Sequence, residues 1–333
     1  MEAATLQPAG GRSLDERSPA ARRADPLFRL LLRGLAAGIL VLIAFFFVRL
    51  YVEAHPAFSK FGFFGFAFDN NWNVGAEVYG ALPLVVGTLI ASAIALLIGV
   101  PIAIAAALYL TELCPQRARG PLTLLVELLA AVPSVVYGLW GVFVLIPTLK
   151  PVEQWFTDTF SFIPFVGGAT VAGPNYFIAG LILAIMILPI VSAISREVMS
   201  TVPAEHKEAA YALGATRWEM IRMSVLPYSR AGITGATMLG LGRAIGETIA
   251  VTLVIGNAPV IGQHLFDQGY TLAAAIAVEF GEAAATPIHR AALIAAGLLL
   301  FVLTLFINAG ARAFVARSQK SRAPSASLGA AQA

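Results

Sequence analysis

The chain has 333 residues, of which 58% are hydrophobic and 12% are charged. A soluble domain is on average about 25% charged, so the composition excludes an ordinary water-soluble domain and indicates an integral membrane protein. The formal net charge of +3 is small, and the basic residues lie between apolar runs, which excludes a nucleic-acid-binding surface. The single cysteine, Cys114, excludes an internal disulfide, and no Cys/His grouping indicates a metal site.

The two ends of the sequence are predicted to be tails. Residues 1–29 are rich in Ala, Arg and Pro without apolar periodicity, which predicts a disordered tail, and residues 317–333 are predicted to form a second tail. The apolar run after the first tail is too long for the core of a signal peptide, and no persuasive cleavage site follows it. We therefore expect an uncleaved first transmembrane helix with an external loop over residues 30–81, and a larger membrane domain over residues 82–316.

Six apolar segments are long enough to cross a bilayer as helices, since a crossing takes about 20 residues. They are Leu30–Val52, Leu82–Leu110, Leu122–Leu149, Tyr176–Ile194, Gly232–Ile255 and Ala291–Val315. The second segment contains Pro83 and Pro101, which predict a tilt or a kink. The pattern predicts an all-α integral membrane protein with six transmembrane helices.

The positions of lysine and arginine predict the orientation, because these residues accumulate in cytoplasmic loops. Of the 22 Lys and Arg residues, 17 fall on the side that holds both ends of the chain, four fall on the opposite side, and Arg243 lies within the fifth segment. Both termini are therefore predicted to be cytoplasmic. The predicted external loops are residues 53–81, 150–175 and 256–290.

The predicted cytoplasmic loop between the fourth and fifth segments has the pattern of two short helices. Gly214 interrupts the first helix and permits a sharp bend that a residue with a Cβ atom would resist. A second apolar stripe starts at Trp218 and is expected to end at Pro227. Ala209 and Ala210 are small enough to let the backbone of a partner protein approach closely.

The loop sequence EAAYALGATRWEMIRMSVLP, residues 208–227, resembles the EAA loop of ABC importer permeases. The residues that match the family pattern are Glu208, Ala209, Ala210, Gly214, Leu226 and Pro227. Ser224 departs from the pattern, because the family usually has Ile or Val there. The resemblance implies that residues 203–227 form a coupling element that docks into a cleft of an ATP-binding subunit. An ordinary amphipathic cytoplasmic loop is the alternative.

Nucleotide binding is not expected in this chain, because its sequence contains no GxxxxGK[ST] phosphate-binding loop. ATP and Mg²⁺ are therefore expected on a separate ATPase, and this chain needs no cofactor of its own. The glycines of GLGRAIG, residues 240–246, have the wrong spacing for a dinucleotide-binding loop and lie within a predicted span. Gly242 and Gly246 instead form a GxxxG pattern, which predicts a close approach between helices.

Arg243 and Glu247 lie near the middle of the fifth segment, four residues apart and therefore on one face of the predicted helix. A charge at mid-bilayer costs at least ~2.5–3.5 kcal/mol, so both residues are expected to face a polar pathway or the bundle interior. In one hypothesis Arg243 contacts an anionic substrate, because the planar donor fork of guanidinium matches phosphate or sulfate oxygens. Glu247 then either orients Arg243 or contacts a protonated oxyanion. In the other, the two residues form a structural ion pair.

Glu127, near the cytoplasmic edge of the third segment, is explained by headgroup solvation.

Longer stretches narrow the resemblance to one family. Three segments are similar to PstC-type permeases of bacterial phosphate importers: GLGRAIGETIAVTLVIGN (240–257), VELLAAVPSVVYGLWG (126–141) and YGALPLVVGTL (79–89). The resemblance implies a type I importer fold, the bacterial inner membrane as location and inorganic phosphate as cargo. It also implies four kinds of partner: a second, PstA-like permease, a homodimeric ATP-binding subunit, an extracytoplasmic phosphate-binding protein and membrane lipid. Arg243 and Glu247 align with charged residues considered important for phosphate passage.

Other functions compete with this interpretation. A proton-coupled secondary transporter would use Glu247 and need no ATPase, but no inverted repeat is evident and residues 203–227 have no role in it. A membrane enzyme lacks support, because the sequence has no Ser/His/Asp set, HExxH motif or metal-ligand cluster, and its four histidines are isolated. No catalytic residue is therefore predicted. Among importers, sulfate, molybdate or another oxyanion is the alternative cargo, since Arg243 alone does not discriminate among tetrahedral anions.

Overall fold

The computed structural model describes residues 19–167 and 171–320. The chain divides into two compact units, residues 1–52 and residues 53–333. The described chain is helical apart from loops and one short hairpin, which agrees with the predicted all-α class.

The described part of the first unit is helical. Helix α1, Pro19–Phe61, begins in this unit, and proline is well suited to the first turn of a helix because its missing N–H has no partner there. Its side chains from Phe28 to Arg49 are exposed and mostly apolar, as expected of a helix that is surrounded by lipid. Residues 19–29 are thus helical where the composition predicted a disordered tail, and residues 1–18 of that predicted tail lie outside the described residues.

The second unit contains the end of α1 and twelve further α-helices in the described residues. Their bounds are α2 Phe63–Phe68, α3 Leu82–Leu108, α4 Gln116–Ala131, α5 Ser134–Trp140, α6 Ile146–Thr159, α7 Tyr176–Ser200, α8 Ala204–Ala212, α9 Arg217–Met220, α10 Leu226–Gly246, α11 Ile249–Val254, α12 Leu272–Glu279 and α13 Pro287–Lys320. Strands β1, Trp72–Asn73, and β2, Val78–Tyr79, form an antiparallel hairpin in which Trp72 lies opposite Tyr79. The segments Tyr109–Leu113, Gly141–Leu145 and Ile221–Val225 are π-helical turns, and Glu282–Ala285 is a 3₁₀ turn. The predicted C-terminal tail is helical as far as Lys320, and the rest of it lies outside the described residues.

Five helical stretches of the described chain are long and apolar enough to cross a membrane. They are Phe28–Phe61, Leu82–Leu113, Ser134–Thr159, Tyr176–Ser200 and Pro287–Ala313. These stretches agree with the first, second, fourth and sixth predicted spans. The count of six spans and the cytoplasmic location of both termini stay predictions.

The third and fifth predicted spans are wrong in their bounds. The third is divided at Pro133, so that its first half belongs to α4 and the crossing stretch begins only at Ser134. The fifth is divided after Gly246 into α10 and α11. Residues 150–159, which were predicted to be loop, continue α6 instead, and the predicted external segment 256–290 contains α12.

Helix α7 forms the centre of the bundle, with 61% of its most apolar stretch buried, and it packs against α3 and α10. Two glycines explain how closely these helices approach. A Cβ atom on Gly180 would lie 2.5 Å from the Cβ of Ile94 on α3, and one on Gly240 would lie 2.7 Å from Val191 Cγ2. Small residues at such crossings let helix backbones approach in a membrane, so these two positions set the spacing of the three helices.

A second buried cluster joins the hairpin to α12 and α13. Its polar centre is Glu279, whose Oε2 lies 2.9 Å from His289 Nε2 and accepts a 3.1 Å hydrogen bond from Trp72 Nε1. The interpretation of the histidines as isolated is therefore wrong for His289, which is only 2% exposed. A buried polar group is tolerated when it is paired in this way.

Candidate functional site

Two helices are interrupted within the predicted membrane domain. Helix α10 ends at Gly246, and Glu247 has an extended backbone with φ −70° and ψ 130° before α11 begins. Helix α4 ends in the same manner at Ala131. Val132 has an extended backbone, because the following Pro133 disfavours helical geometry for the residue before it. Non-helical backbone at membrane depth occurs where it lines a cavity or is buried in protein. Broken helices therefore indicate a functional region.

The two short helices that follow these breaks pack against each other. A Cβ atom on Gly138 of α5 would lie 3.0 Å from Ala250 Cα on α11, and one on Gly141 would lie 2.7 Å from Val254 Cγ1. The two interruptions are thus joined by one tightly packed contact. Tyr137 of α5 donates a 2.8 Å hydrogen bond to the carbonyl of Leu129, across the break, and its hydroxyl interacts electrostatically with Arg243.

Arg243 lies in the last turn of α10, where the negative end of the helix dipole favours a cation. Its side chain is exposed, whereas Glu247 is partly buried. The predicted placement of both residues on one helical face is wrong, because the helix ends between them. Among the described residues, neither side chain has a hydrogen-bond or ion-pair partner, so the intrahelical ion pair is also wrong.

Arg243 borders a cavity of about 920 Å³ between α7, α10 and α13. The lining residues are Ile194, Val198, Ala231, Gly232, Thr234, Gly235, Ala236, Met238, Leu239, Gly242, Arg243, Asn308 and Arg312. Among the described residues, this lining contains two arginines and no carboxylate. The cavity is therefore mostly apolar in its walls and positive in its charge.

The predicted GxxxG contact is wrong for the packing within this chain. Outside the helix's own backbone and the two chain neighbours, no atom of the described residues lies within 4 Å of the position that a Cβ atom would take on Gly242 or on Gly246. Gly242 instead contributes to the open lining of the cavity. The glycine of α10 that makes the close helix contact is Gly240.

The predicted coupling segment, residues 203–227, has the expected sequence of helix, glycine break and second helix. Gly214 has φ +81°, a conformation that side chains with a Cβ atom rarely adopt. Thr216 then begins α9 with a capping box: its backbone N–H donates to Glu219 Oε2 at 2.8 Å, and its hydroxyl accepts from the Glu219 N–H. These hydrogen bonds from Thr216 hold the pKa of the Glu219 carboxyl below its usual value.

Pro227 does not end the second helix, contrary to the sequence interpretation. It lies in the first turn of α10, directly after the π-helical turn Ile221–Val225, so the helical path continues from α9 into α10. Proline is tolerated in a first turn, and bulges of this kind are a recognised cause of helix bending. Residues 217–246 therefore connect the coupling segment directly to Arg243.

The residues that match the EAA pattern differ in exposure. Glu208, Ala209, Gly214 and Pro227 are exposed and Leu226 is partly buried. Ala210 is only 4% exposed, because it packs in a cluster that also contains Met220, Ile221 and Val225. The expectation that both alanines admit a partner's backbone is thus wrong for Ala210, which instead holds α8 against the following helix.

Two contacts fix the coupling segment to the rest of the unit. Ser224 Oγ donates a 3.0 Å hydrogen bond to the carbonyl of His206, which joins the second helix of the segment to the first. Lys207 Nζ lies 2.6 Å from Glu112 Oε1, in the π-helical turn after α3. The hydroxyl of Ser224 therefore makes a contact that Ile or Val would not make.

Glu127, which was assigned to headgroup solvation, in fact pairs with Arg196 of α7 at 3.0 Å.

Sequence reasoning missed Tyr137 and Arg312 as residues of this region. Tyr137 is an aromatic residue in an apolar stretch, and nothing in the sequence near it points to Arg243. Arg312 was counted with the basic residues of the C-terminal side. The available signal was its spacing of four residues from Asn308, which places both on one face of a helix.

The family of the chain follows from comparison with known proteins. The model of the family described as "Binding-protein-dependent transport system inner membrane component" matches residues 99–320. The chain therefore belongs to this family. The helical membrane architecture and this match confirm the predicted class of protein: the chain is a membrane-embedded permease of an ABC importer and not an enzyme. They also confirm its predicted location in the inner membrane.

Relatives within the family share much of the chain. The phosphate transport system permease protein PstC of Mesorhizobium japonicum is 45% identical over 298 residues, which cover 88% of this chain and 90% of that protein. The protein of the same name from Pasteurella multocida is 43% identical, covering 88% and 92%. A solved bacterial ABC transporter involved in the import of the acidic polysaccharide alginate is similar at 20% identity, covering 87% of this chain and 98% of that chain with a TM-score of 0.47. Family membership implies that the chain works together with other subunits of a binding-protein-dependent transporter.

Proposed function

We propose that this chain is the permease subunit through which an ATP-driven importer of type I fold moves inorganic phosphate across the inner membrane. The identity of 45% and 43% to two phosphate transport system permease proteins supports phosphate as the cargo. The observation that carries the proposal is the state of Arg243. Its guanidinium lines a cavity next to a break in α10 and has no ion-pair partner among the described residues.

An arginine in this place needs a physical reason, because a charge at the centre of a membrane helix costs at least ~2.5–3.5 kcal/mol. A structural ion pair would reduce that cost, but the described residues offer none to Arg243. A transported oxyanion compensates the charge, and the planar guanidinium donates two parallel hydrogen bonds to a phosphate or sulfate group. Arg243 is therefore proposed as the residue that contacts phosphate during passage.

Glu247 is proposed to sense the protonation of the anion. Its carboxylate would repel a fully ionised phosphate at short range, whereas it accepts a hydrogen bond from a phosphate oxygen that carries a proton. Because α10 ends at Gly246, Glu247 does not belong to the helical face that carries Arg243. The two residues are thus proposed to contact the anion from different directions.

Residues 203–227 are proposed to receive the motion of the ATPase. Glu208, Ala209 and Gly214 are exposed for contact with a partner, while Ala210, Leu226 and Pro227 connect the segment to the helical path of α9 and α10. Closure of the ATPase around ATP would move this path, and with it Arg243, so that the site opens alternately to the two sides. ATP and Mg²⁺ are proposed to bind the ATPase, since this chain has no phosphate-binding loop of its own.

The proposed complex contains three further components besides membrane lipid. A second, PstA-like permease completes the pathway, a homodimeric ATP-binding subunit binds the coupling segments, and an extracytoplasmic phosphate-binding protein delivers the anion. The family description supports the presence of a binding protein in such systems.

Uptake of radiolabelled phosphate into proteoliposomes tests this function. The complex is reconstituted with its ATPase and binding protein. ATP is enclosed inside vesicles in which the ATPase faces the interior. We expect uptake that requires ATP and survives an excess of sulfate or molybdate. Uptake that persists without the ATPase would contradict the importer mechanism and favour proton coupling. If an excess of sulfate or molybdate abolishes the uptake of labelled phosphate, the result would contradict phosphate as the cargo.

A further inference from the structure

The cavity that Arg243 borders continues toward the coupling segment. Its lining on α10 extends from Arg243 back to Ala231, which is about 18 Å along a helix axis at 1.5 Å per residue. Val198, near the end of α7 that leads into the coupling segment, lies at the other end with Gly232. Since side chains lean toward the N-terminus of their helix, the long side chain of Arg243 extends into this space.

A second polar group of the cavity comes from α13. Asn308 and Arg312 are four residues apart and both line the cavity, as residues on one helical face do. No hydrogen bond or ion pair joins either side chain to another described residue. The remaining polar side chain of the lining, Thr234, already donates its hydroxyl to the Arg230 carbonyl at 2.8 Å.

The charges of the cavity make it attractive to an anion. Two guanidinium groups share one space with mostly apolar walls, and no described residue contributes a carboxylate to the lining. Like charges in such surroundings repel each other, and a cleft lined by one sign of charge concentrates ions of the opposite sign. Two lone cations that share a space are each stabilised when an anion enters between them.

We propose that Asn308 and Arg312 form a second contact for tetrahedral oxyanions, which receives the transported anion between Arg243 and the coupling-segment end of the cavity. The inference rests on the proposed function for the identity of that anion. The guanidinium of Arg312 binds the oxygens, and the amide of Asn308 donates a further hydrogen bond and fixes the orientation of the anion. The phosphate of a lipid headgroup offers the same chemistry, because arginines near helix ends commonly extend to the membrane surface.

The test introduces a reporter thiol into the complete transporter. The substitution Asn308→Cys is made together with Cys114→Ser, which removes the single native thiol of this chain; thiols of the other subunits are removed likewise. The rates of modification by a negatively charged and by a positively charged methanethiosulfonate are compared in vesicles of phosphatidylcholine alone. We expect the anionic reagent to react about tenfold faster than the cationic one, in line with electrostatic focusing, and inorganic phosphate to slow the reaction.

The variant Arg312→Gln is expected to remove the preference for the anionic reagent and the protection by phosphate, while Arg312→Lys retains part of both. The matched control is Arg290→Gln, which changes an arginine of the same helix outside the cavity lining and is expected to change neither. With residue 308 unsubstituted, Arg312→Gln is expected to lower the maximal rate of phosphate uptake about tenfold with assembly intact. Equal reaction with both reagents, or equal uptake by the Gln variant, would overturn the proposal.

Two further outcomes separate the sources of the anion. Protection that appears only when acidic phospholipid is added, and never with inorganic phosphate, would assign the site to a headgroup and overturn the proposal. If the wild-type complex imports sulfate rather than phosphate while sulfate protects the thiol, the oxyanion site stands and the phosphate assignment fails. If phosphate is imported but no oxyanion protects, the proposed function stands and the second contact fails.

Discussion

The coupling segment and the transport site differ in how their polar side chains are satisfied. In the coupling segment, Thr216 and Glu219 cap each other, Ser224 donates to a backbone carbonyl, and Lys207 pairs with Glu112. At the proposed transport site, neither Arg243 nor Glu247 has a hydrogen-bond or ion-pair partner among the described residues. The first region is fixed by contacts of the chain itself, whereas the second has groups left over for something that binds. The difference is consistent with the mechanical role proposed for the first region and the recognition role proposed for the second.

The largest effect is expected from Arg243→Gln. Removing the guanidinium removes the proposed anion contact, so phosphate uptake should fall at least about 100-fold, in line with the loss of a charge-assisted bidentate contact. Uptake and complex assembly are measured together in proteoliposomes. The control is Arg230→Gln, in the same helix but outside the cavity lining, which should transport normally. Disassembly of the Arg243 variant would instead indicate a structural role.

The substitution Gly214→Val should uncouple ATP hydrolysis from transport. Valine at φ +81° is strained by ~1–3 kcal/mol, so the bend between α8 and α9 is lost or distorted. Phosphate molecules transported per ATP hydrolysed should fall several-fold. Gly214→Asn is the matched control, because asparagine tolerates the left-handed conformation. Normal coupling in the valine variant would show that the bend is dispensable.

A smaller effect is expected from breaking the ion pair between Lys207 and Glu112. The carboxylate of Glu112 is 8% exposed, so Lys207→Met leaves a nearly buried charge without its partner and should lower the coupling ratio. The measurement is a double-mutant cycle on thermal stability with Glu112→Gln. We expect an interaction energy of about 1 kcal/mol, and additive effects of the two changes would contradict a direct link between α8 and the π-helical turn after α3.

The smallest effect concerns the pH dependence of the capping box. The pKa of Glu219 is lowered in the folded chain, so its contribution to stability is present above its ordinary value near 4.5 and is lost as the pH falls through the lowered value. The protection of the α9 amides, expressed as the intrinsic exchange rate at each pH divided by the observed rate, should therefore decrease below about pH 4.5. At neutral pH, the α9 amides of Glu219→Gln should be less protected from exchange than those of the unsubstituted chain, and acidification should change their protection less. If the substitution leaves the pH dependence of protection unchanged, the Glu219 cap does not cause that dependence.

The sequence was sufficient for the features that depend on local composition. Four membrane spans follow from apolar length, and the bend at Gly214 follows from the residue that permits it. The break at Pro133 also has a local cause, because a proline disfavours helical geometry at the residue before it. Arg243 was selected because charges are rare in apolar segments; the structure places it in the lining of a cavity, and its contact with the transported anion stays a prediction.

Features that depend on distant contacts were beyond sequence reasoning. The break at Glu247 follows no proline and interrupts an apolar pattern that continues into α11. The position of α11 comes from its packing against Gly138 of α5 and Gly141 of the π-helical turn that follows. Lys207 and Glu112 are 95 residues apart, so their pairing appears only in the folded chain. Arg312 was assigned to one side of the membrane by its charge, and only the fold places it in the cavity with Arg243.

The central claim, that Arg243 contacts the transported phosphate, is tested most directly by magnetic-resonance recoupling between nitrogen and phosphorus. The complete transporter is prepared with ¹⁵N-labelled arginine and held with bound inorganic phosphate. A guanidinium–phosphate hydrogen bond of about 2.8 Å predicts a ¹⁵N–³¹P dipolar coupling at the shift of inorganic phosphate, and Arg243→Lys should remove the part of it that Arg243 contributes. Phosphate uptake that proceeds normally in a preparation without any such coupling at Arg243 would contradict the claim.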